Sequence, residues 1–274
     1  MNQILIPAIL LAVLTGCRAD AISDQGKKEY SIDLSTWKLT LPVDENKDGK
    51  PDEYVDLTAY RSNGAIAPYM YDGEDGSLVF YCQYTGIATT NSRYSRTELR
   101  EQLVAGDNAT NWSMKDGGVM KGSLKVGAIS SGHRTIVMQI HGRLTDKQKE
   151  VINTSDNDAP PLLKIYFQNN KVRVVRKILV DEHGQGEAIL PKKAWKDDAG
   201  HYFKEQVDNR TFTLEVIASQ GRLEVKLNGV SKVYDDISMQ KWPFENYFKA
   251  GNYLQSSDSG AFAKVEFYTL NVTH

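Results

Sequence analysis

The stretch that decides the fold runs from Arg93 to Leu103 and reads Arg-Tyr-Ser-Arg-Thr-Glu-Leu-Arg-Glu-Gln-Leu. Side chains alternate between two faces along a β-strand. One face carries Arg96, Glu98, Arg100 and Gln102, and the other carries Thr97, Leu99, Glu101 and Leu103. Two guanidinium groups around a carboxylate suit the recognition of carboxylate or phosphate. Taken alone, such a strand is more simply explained as a solvated edge with cross-strand ion pairs. Matching groups on other strands would favour a binding site.

Strand patterns continue through most of the chain after Tyr30. The predicted strands are 31–34, 37–41, 77–83, 94–104, 119–129, 134–143, 162–168, 171–180, 211–219, 222–227, 247–255 and 261–270. Pairs such as Asn169-Asn170, Gln220-Gly221 and Asn228-Gly229 predict hairpin turns between them. Helical signal is confined to Asp146–Val151 and Ile237–Lys241. The pattern predicts one all-β domain over 30–274, a β-jelly roll sandwich of two antiparallel sheets.

The balance of charge bears on possible partners. The chain has 33 Lys and Arg against 35 Asp and Glu. No bulk basic charge is therefore present for nucleic acid, and no nucleic-acid partner is expected.

The first 16 residues predict an export signal. Ile4 to Leu14 is apolar but too short to span a bilayer. Leu14-Thr15-Gly16-Cys17 resembles the bacterial lipoprotein box, which predicts lipidation at Cys17 and a tether over 17–29. We therefore expect an exported bacterial lipoprotein, anchored in the outer membrane on its periplasmic or cell-surface side. Because Met1-Asn2-Gln3 lacks the usual Lys or Arg, an ordinary cleaved signal and a soluble secreted protein is the alternative.

The second cysteine has no expected partner. Cys82 shares a strand face with Leu78 and Phe80, which predicts a buried free thiol and no structural disulfide.

One loop resembles a calcium-binding sequence. Several residues occupy EF-hand ligand or turn positions: Asp44, Asn46, Asp48, Gly49 and Asp52. The twelfth position is Val55 where a bidentate Glu is needed, and no helices flank the loop. We predict a solvated turn and no metal site.

Two further strands carry polar groups on one face. In 134–143, Gln139 and His141 lie opposite a predicted core face, which is formed by Ile136, Met138 and Ile140. In 247–255, one side carries Tyr247, Lys249, Gly251, Tyr253 and Gln255, and the other carries Phe248, Ala250, Asn252 and Leu254. Gly251 predicts a close approach of a ligand to the backbone. If these strands are neighbours of 94–104, they line a cleft of cations, amides, an imidazole and a phenol.

This set of groups favours one kind of chemistry. No nucleophile elbow, zinc spacing or phosphate-binding Gly loop is present. Glycoside hydrolysis needs a pair of carboxylates, and Glu98 is the one carboxylate on these faces. β-Elimination on a uronic acid fits better. Arg and Gln donors would stabilise the enolate that forms beside the carboxylate, while His and Tyr serve as base and acid.

Three segments carry a family resemblance. Residues 96–100, 139–141 and 247–255 resemble, in order and separation, the signature strands of alginate lyases of polysaccharide lyase family 7. Trp37–Pro42 is similar to that family's opening strand. The resemblance covers about Tyr30 to the C-terminus. It implies a jelly roll with a concave cleft and β-elimination of alginate without a metal or cofactor.

The resemblance also implies roles by position. Arg96 and Gln139 would neutralise the carboxylate in the +1 subsite. His141 would assist them or act as the base for guluronate. Tyr253 would protonate the leaving oxygen and also abstract the C5 proton of mannuronate. Substrate binding and orientation would fall to Glu98, Arg100, Lys249 and Gln255. Ile140 favours guluronate-containing substrates, and Leu254 departs from the family's usual Asn, which puts some subsite contacts in doubt.

Two alternatives remain beside an alginate lyase acting as a monomer. One is a lyase for another polyuronate, such as glucuronan. The other is a polyuronate-binding jelly roll without activity. The joint presence of Gln139, His141 and Tyr253 favours an enzyme, because a binding module does not need all three. Guluronate against mannuronate preference and endo against exo action stay open.

Overall fold

The computed structural model describes residues 32–274. The predicted signal segment, the lipidation site at Cys17 and the tether over 17–29 lie outside the described residues. None of the helices in the described part is both long and apolar enough to cross a membrane.

Most of the described chain is in β-strands. The strands are β1 (Trp37–Thr40), β2 (Glu53–Tyr54), β3 (Met70–Asp72), β4 (Leu78–Gln83), β5 (Arg96–Glu101), β6 (Gly118–Ile129), β7 (Arg134–Arg143), β8 (Leu163–Gln168), β9 (Lys171–Leu179), β10 (Trp195–Asp197), β11 (His201–Gln206), β12 (Phe212–Ser219), β13 (Arg222–Leu227), β14 (Val230–Tyr234), β15 (Glu245–Leu254) and β16 (Phe262–Thr273). The helices are α1 (Asp146–Val151) and α2 (Ile237–Gln240), with 3₁₀ turns at Gly186–Ile189 and Lys192–Ala194.

The strands form two antiparallel sheets. The first has the order β10-β9-β8-β7-β15-β5-β1-β2, with β11 also paired to β9. The second has the order β14-β13-β12-β6-β16-β4-β3. The predicted all-β sandwich of two antiparallel sheets is therefore confirmed.

The main hydrophobic core lies between the sheets. Leu99 on β5 and Phe248 on β15 face Phe80 and Phe267 of the second sheet, and all four are fully buried. The rings of Phe80 and Phe267 meet edge to face with centroids 5.6 Å apart. Each side chain of this size stabilises the fold by about 1.5–3 kcal/mol when buried. The predicted alternation along β5 is confirmed, because Leu99 points into this core while Arg96 and Arg100 line the opposite face.

A β-bulge overturns one core prediction on β7. Between Ile136 and Met138, β7 advances two residues while β8 advances one. Val137 therefore faces the core, and Ile136 turns to the outer face, where it packs with Tyr166 and Tyr253. The prediction that Ile136 belongs to the core between the sheets is wrong, because one extra residue reverses the alternation.

A second bulge, on β15, explains why residue 251 is a glycine. Between Ala250 and Tyr253, β15 advances three residues while β7 advances two. Gly251 has a φ of +134°, and a Cβ there would lie 2.7 Å from the backbone oxygen of Thr97. The glycine thus permits close approach of β5. The prediction that it opens the backbone to a ligand is wrong.

The remaining differences from the sequence prediction concern short elements. Residues 32–34 form no strand, whereas β2, β3, β10, β11 and β14 were not predicted. Several of these strands have only two to five residues, so they offer little alternation to detect. Both helices are confirmed. Thr145 and Gln148 form a capping box on α1, and Asp236 caps α2.

Cys82 is buried and free, as predicted. It packs with Leu254, Ala261 and Ala263 in a small second core.

The loop after β1 is held by hydrogen bonds between its carboxylates and its own backbone amides. The two carboxylate oxygens of Asp44 accept hydrogen bonds from the amides of Asp48 and Gly49. Asp52 accepts one from the amide of Glu45. These carboxylates therefore stabilise a turn.

Candidate active site

The outer, concave face of the first sheet forms a cleft of about 810 Å³. Its floor is built by β5, β15 and β7, which are neighbours in the sheet. Lys249 lies between Arg100 and Gln139 in the register, and Tyr247 pairs with His141. The three polar strands are therefore neighbours in one sheet, which the sequence alone did not show.

The structure brings the predicted site residues together. Seven of them line the cleft: Arg96, Arg100, Gln139, His141, Lys249, Tyr253 and Gln255. Glu98 lies beneath them and is 1% exposed.

The carboxylate of Glu98 joins the three central strands. Its Oε2 lies 2.5 Å from Lys249 Nζ and 3.1 Å from Arg96 Nη1. Gln139 Nε2 donates a hydrogen bond of 2.5 Å to Oε1. Both carboxylate oxygens are thus used within the protein, so Glu98 orients the donors around it.

The charges in this cluster are set by burial and by each other. Burial favours a higher pKa for Glu98, but the positive charges of Lys249 and Arg96 outweigh it and leave the pKa below its ordinary value. Burial lowers the pKa of Lys249, and Arg96 adds to this, against the opposing effect of Glu98. Removing one partner from such a buried cluster typically costs about 3–5 kcal/mol of stability.

The ring of Tyr253 packs against one charged side chain and two side chains of the outer apolar cluster. The guanidinium carbon of Arg96 lies 3.8 Å from the centre of the Tyr253 ring. Ile136 and Tyr166 also pack against Tyr253. The Tyr253 hydroxyl is 2.7 Å from Ser92 Oγ, which also accepts a 3.0 Å hydrogen bond from Arg96 Nη2. The phenol is therefore fixed in the cleft by contacts to its ring and its oxygen.

His141 is placed as a neutral imidazole. Its ring stacks on Tyr247 with centroids 5.3 Å apart, and the guanidinium carbon of Arg100 lies 4.1 Å from the Tyr247 ring centre. His141 Nδ1 lies 3.0 Å from the carbonyl oxygen of Gly142. Because a carbonyl only accepts, Nδ1 carries the proton and Nε2 keeps its lone pair. Burial lowers the pKa of His141 to about 4.

Two loops cover part of the cleft, and the sequence did not point to them. Asn91 Nδ2 donates a 2.8 Å hydrogen bond to Asp158 Oδ2, which also forms a 2.7 Å ion pair with Lys192. Asp158 Oδ1 is 3.8 Å from His141 Nε2. Ser92 belongs to the same loop as Asn91. Loop residues have no periodicity, so no sequence signal places them in a cleft.

The cleft also contains cations that were not predicted as site residues. They are Lys38, Arg143, Lys164, Lys177 and Lys192. Together with Arg96, Arg100 and Lys249 they outnumber the lining carboxylates Glu53 and Asp158, so the cleft is basic although the chain has a net charge of −2. Such a cleft attracts polyanions. Among residues 32–274 no group of three or more His, Cys, Asp and Glu side chains is placed to hold a metal ion.

A family model described as alginate lyase matches residues 32–274. The chain belongs to the alginate lyases of polysaccharide lyase family 7. Alginate lyase A1-II′, a member of that family, is 32% identical, with a TM-score of 0.68 over 89% of this chain and 96% of that chain. A variant of A1-II′ in complex with its product gives 31% identity and a TM-score of 0.70, over the same shares. The alginate lyase of Klebsiella pneumoniae is 24% identical, in an alignment that covers 89% of this chain and 90% of that protein.

Membership of the alginate lyase family confirms the recognition made from three strand motifs, and the solved relatives confirm the jelly roll. The departure at Leu254 has a structural explanation. Leu254 is fully buried on the core side of β15, where it packs with Cys82. The expected doubt about subsite contacts at this position does not arise, because Leu254 does not line the cleft.

The low pKa of His141 predicts that its imidazole stays neutral in mildly acidic solution. An imidazole with an ordinary pKa of about 6.5 is mostly protonated at pH 5.5, whereas His141, with a pKa of about 4, stays neutral there. We expect NMR titration of the His141 ring to give a midpoint near 4. Because Asp158 raises this pKa, Asp158→Asn should lower the midpoint further. A midpoint between 6 and 7, expected for an exposed imidazole, would contradict the neutral assignment.

Proposed function

We propose that this protein cleaves alginate by β-elimination and leaves a 4,5-unsaturated uronate at the new chain end. The observation that carries this proposal is the meeting of a neutral imidazole, a fixed phenol and the donors organised by Glu98 in one cleft. Family membership supports the same reaction.

The first requirement is to make the C5 proton of a uronate acidic. A carboxylate beside C5 resists deprotonation because a second negative charge develops on it. Arg96 and Gln139 neutralise that charge and stabilise the enolate dianion, as preorganised donors do for developing charge. Glu98 holds both donors in place.

The second requirement is to take a proton from C5 and to give a proton to the leaving oxygen O4. His141 Nε2 takes the C5 proton of guluronate, and the electron pair of the C5–H bond passes into the enolate dianion. These electrons then form the C4–C5 double bond. The C4–O4 bond breaks, and the Tyr253 hydroxyl gives its proton to the leaving oxygen. With mannuronate, whose C5 proton lies on the other face of the ring, Tyr253 reacts as the phenolate. Its oxygen takes the C5 proton and then gives that same proton to the leaving oxygen. Positioned acids and bases of this kind contribute about 10²–10⁴-fold to a rate.

We also propose a preference for guluronate-containing chains. A neutral His141 separate from Tyr253 supplies a base on a different side of the sugar from the acid. Ile140, the residue on which the sequence expectation rested, is buried in the core, so it acts on specificity only through the strand.

Incubation with alginate should generate products that absorb in the ultraviolet because of their new double bond. Polyguluronate should be cleaved faster than polymannuronate. Product from glucuronan but not from alginate would favour the lyase for another polyuronate. Binding of alginate without product from any polyuronate would favour the inactive binding module.

Tyr253→Phe should lower kcat by about 10²–10⁴-fold, because the proton donor to O4 is lost. Affinity for alginate oligosaccharides should change little, since the ring and its contact with Arg96 remain. Tyr81→Phe on β4 of the second sheet is the matched control and should retain activity. Near-normal turnover by Tyr253→Phe would remove this residue from the proposed role.

We propose further that the protein is an exported lipoprotein anchored through Cys17. Cells expressing the full chain with a labelled fatty acid should incorporate label, and Cys17→Ser should abolish it and release the protein from the membrane fraction. Cys82→Ala is the control, because Cys82 is buried in the fold. An unlabelled, soluble wild-type protein would show instead that an ordinary signal is cleaved.

A further inference from the structure

A row of side chains continues from the active site across the concave sheet. In the register, five residues on β15, β7, β8, β9 and β11 follow one another as direct partners: Tyr253, Ile136, Tyr166, Arg173 and Tyr202. Direct partners in antiparallel strands point to the same face. The row therefore runs at right angles to the strands, from the candidate acid to the edge of the sheet.

Beyond Ile136 this row alternates between aromatic and cationic groups. The guanidinium carbon of Arg134 lies 5.3 Å from the Tyr166 ring centre, and that of Arg173 lies 5.3 Å from the Tyr202 ring centre. Tyr202 also donates a 3.3 Å hydrogen bond to Gln168 Oε1. We call Arg134, Tyr166, Arg173 and Tyr202 the distal platform.

The distal platform is open to a ligand at its outer end. Tyr202 is 43% exposed, so its ring is accessible to a ligand from solvent. Arg173 is steadied by a 3.2 Å hydrogen bond from Nη2 to the carbonyl oxygen of Ala199. Its charge is therefore held in position beside Tyr202.

The platform also keeps its positive charge. The carboxylate of Asp197, which acts on Tyr166, is paired with Lys164 at 2.6 Å and with Lys177 at 2.9 Å. Its negative charge is thereby offset by two lysines, and the two arginines of the platform remain available to an anion.

The row is longer than the catalytic step requires. Four strand-to-strand steps separate Tyr253 from Tyr202, and at about 4.8 Å each they span roughly 19 Å. That distance accommodates several pyranose rings in line, whereas the elimination itself involves only the two sugars that share the bond being cleaved.

We propose that the distal platform binds uronate residues of the alginate chain several units away from the bond that is cleaved. This inference rests on the proposed function of the cleft. The apolar face of a sugar ring packs on the exposed Tyr202, while the carboxylates of neighbouring sugars pair with Arg134 and Arg173. Tyr166, which is 6% exposed, supports Arg134 from below. The platform thus strengthens binding of long chains and has no effect on oligosaccharides too short to reach it.

Chain-length dependence tests this proposal. Tyr202→Ala should raise KM for polymeric alginate by roughly 3- to 10-fold, the loss expected for one aromatic contact, and leave kcat unchanged. Its kinetics on a trisaccharide should match those of the wild type. Arg134→Gln provides a second variant on the same platform and should give the same pattern, with a weaker salt dependence of KM for the polymer.

Tyr268→Ala is the matched control. Tyr268 lies on β16 of the second sheet, with Lys125 5.9 Å from its ring centre and Asp75 as its hydrogen-bond partner. It should leave both substrates unaffected.

Two results would overturn the platform. One is an unchanged KM for the polymer in both variants, and the other is an equal loss on polymer and trisaccharide, which indicates a structural role. If the wild type does not cleave alginate at all, the proposed function fails separately. Calorimetric titration with polymeric alginate then decides the platform, because equal affinities of wild type and Tyr202→Ala would contradict it.

Discussion

The buried carboxylate of Glu98 is the interaction on which the cleft depends. It draws Arg96, Lys249 and Gln139 from three neighbouring strands to one point on the floor. A charge buried to this extent is costly unless it is fully paired, and here each oxygen has a partner. The same pairing fixes the donors that a uronate carboxylate needs. Stability and the capacity to neutralise substrate therefore have one source, and a change at Glu98 should affect both.

Two β-bulges then decide which side chains surround this cluster. The bulge at Val137 turns Ile136 out of the core, so that it supports the ring of Tyr253. The bulge at Gly251 keeps β15 close to β5. The next residue, Asn252, faces inward and donates to the carbonyl oxygens of Phe80 and Ala263. Tyr253 pairs with Arg96 in the regular register of β15 with β5, and Arg96 lies over its ring. The bulge on β7 adds Ile136 as an apolar support for the same ring.

Electrostatics acts locally in this protein. The whole chain is nearly neutral, yet the cleft gathers cations from strands that are far apart in sequence. Burial keeps His141 neutral among these cations. The positive charges of Lys249 and Arg96 also oppose its protonation. A neutral base beside a cationic floor is the combination that proton abstraction from an anionic sugar requires. The distal platform extends the same principle along the polymer.

The sequence by itself determined the all-β class and the faces of β5, because alternation along a strand is a local property. The same alternation placed Arg96, Gln139, His141 and Tyr253 on polar strand faces, and all four line the cleft. Only the tertiary structure decided that their strands are neighbours, that Ile136 lies outside the core, and that Asn91 and Asp158 reach the cleft. Strand order, bulges and loop positions depend on contacts between distant segments. No periodicity in one segment records those contacts.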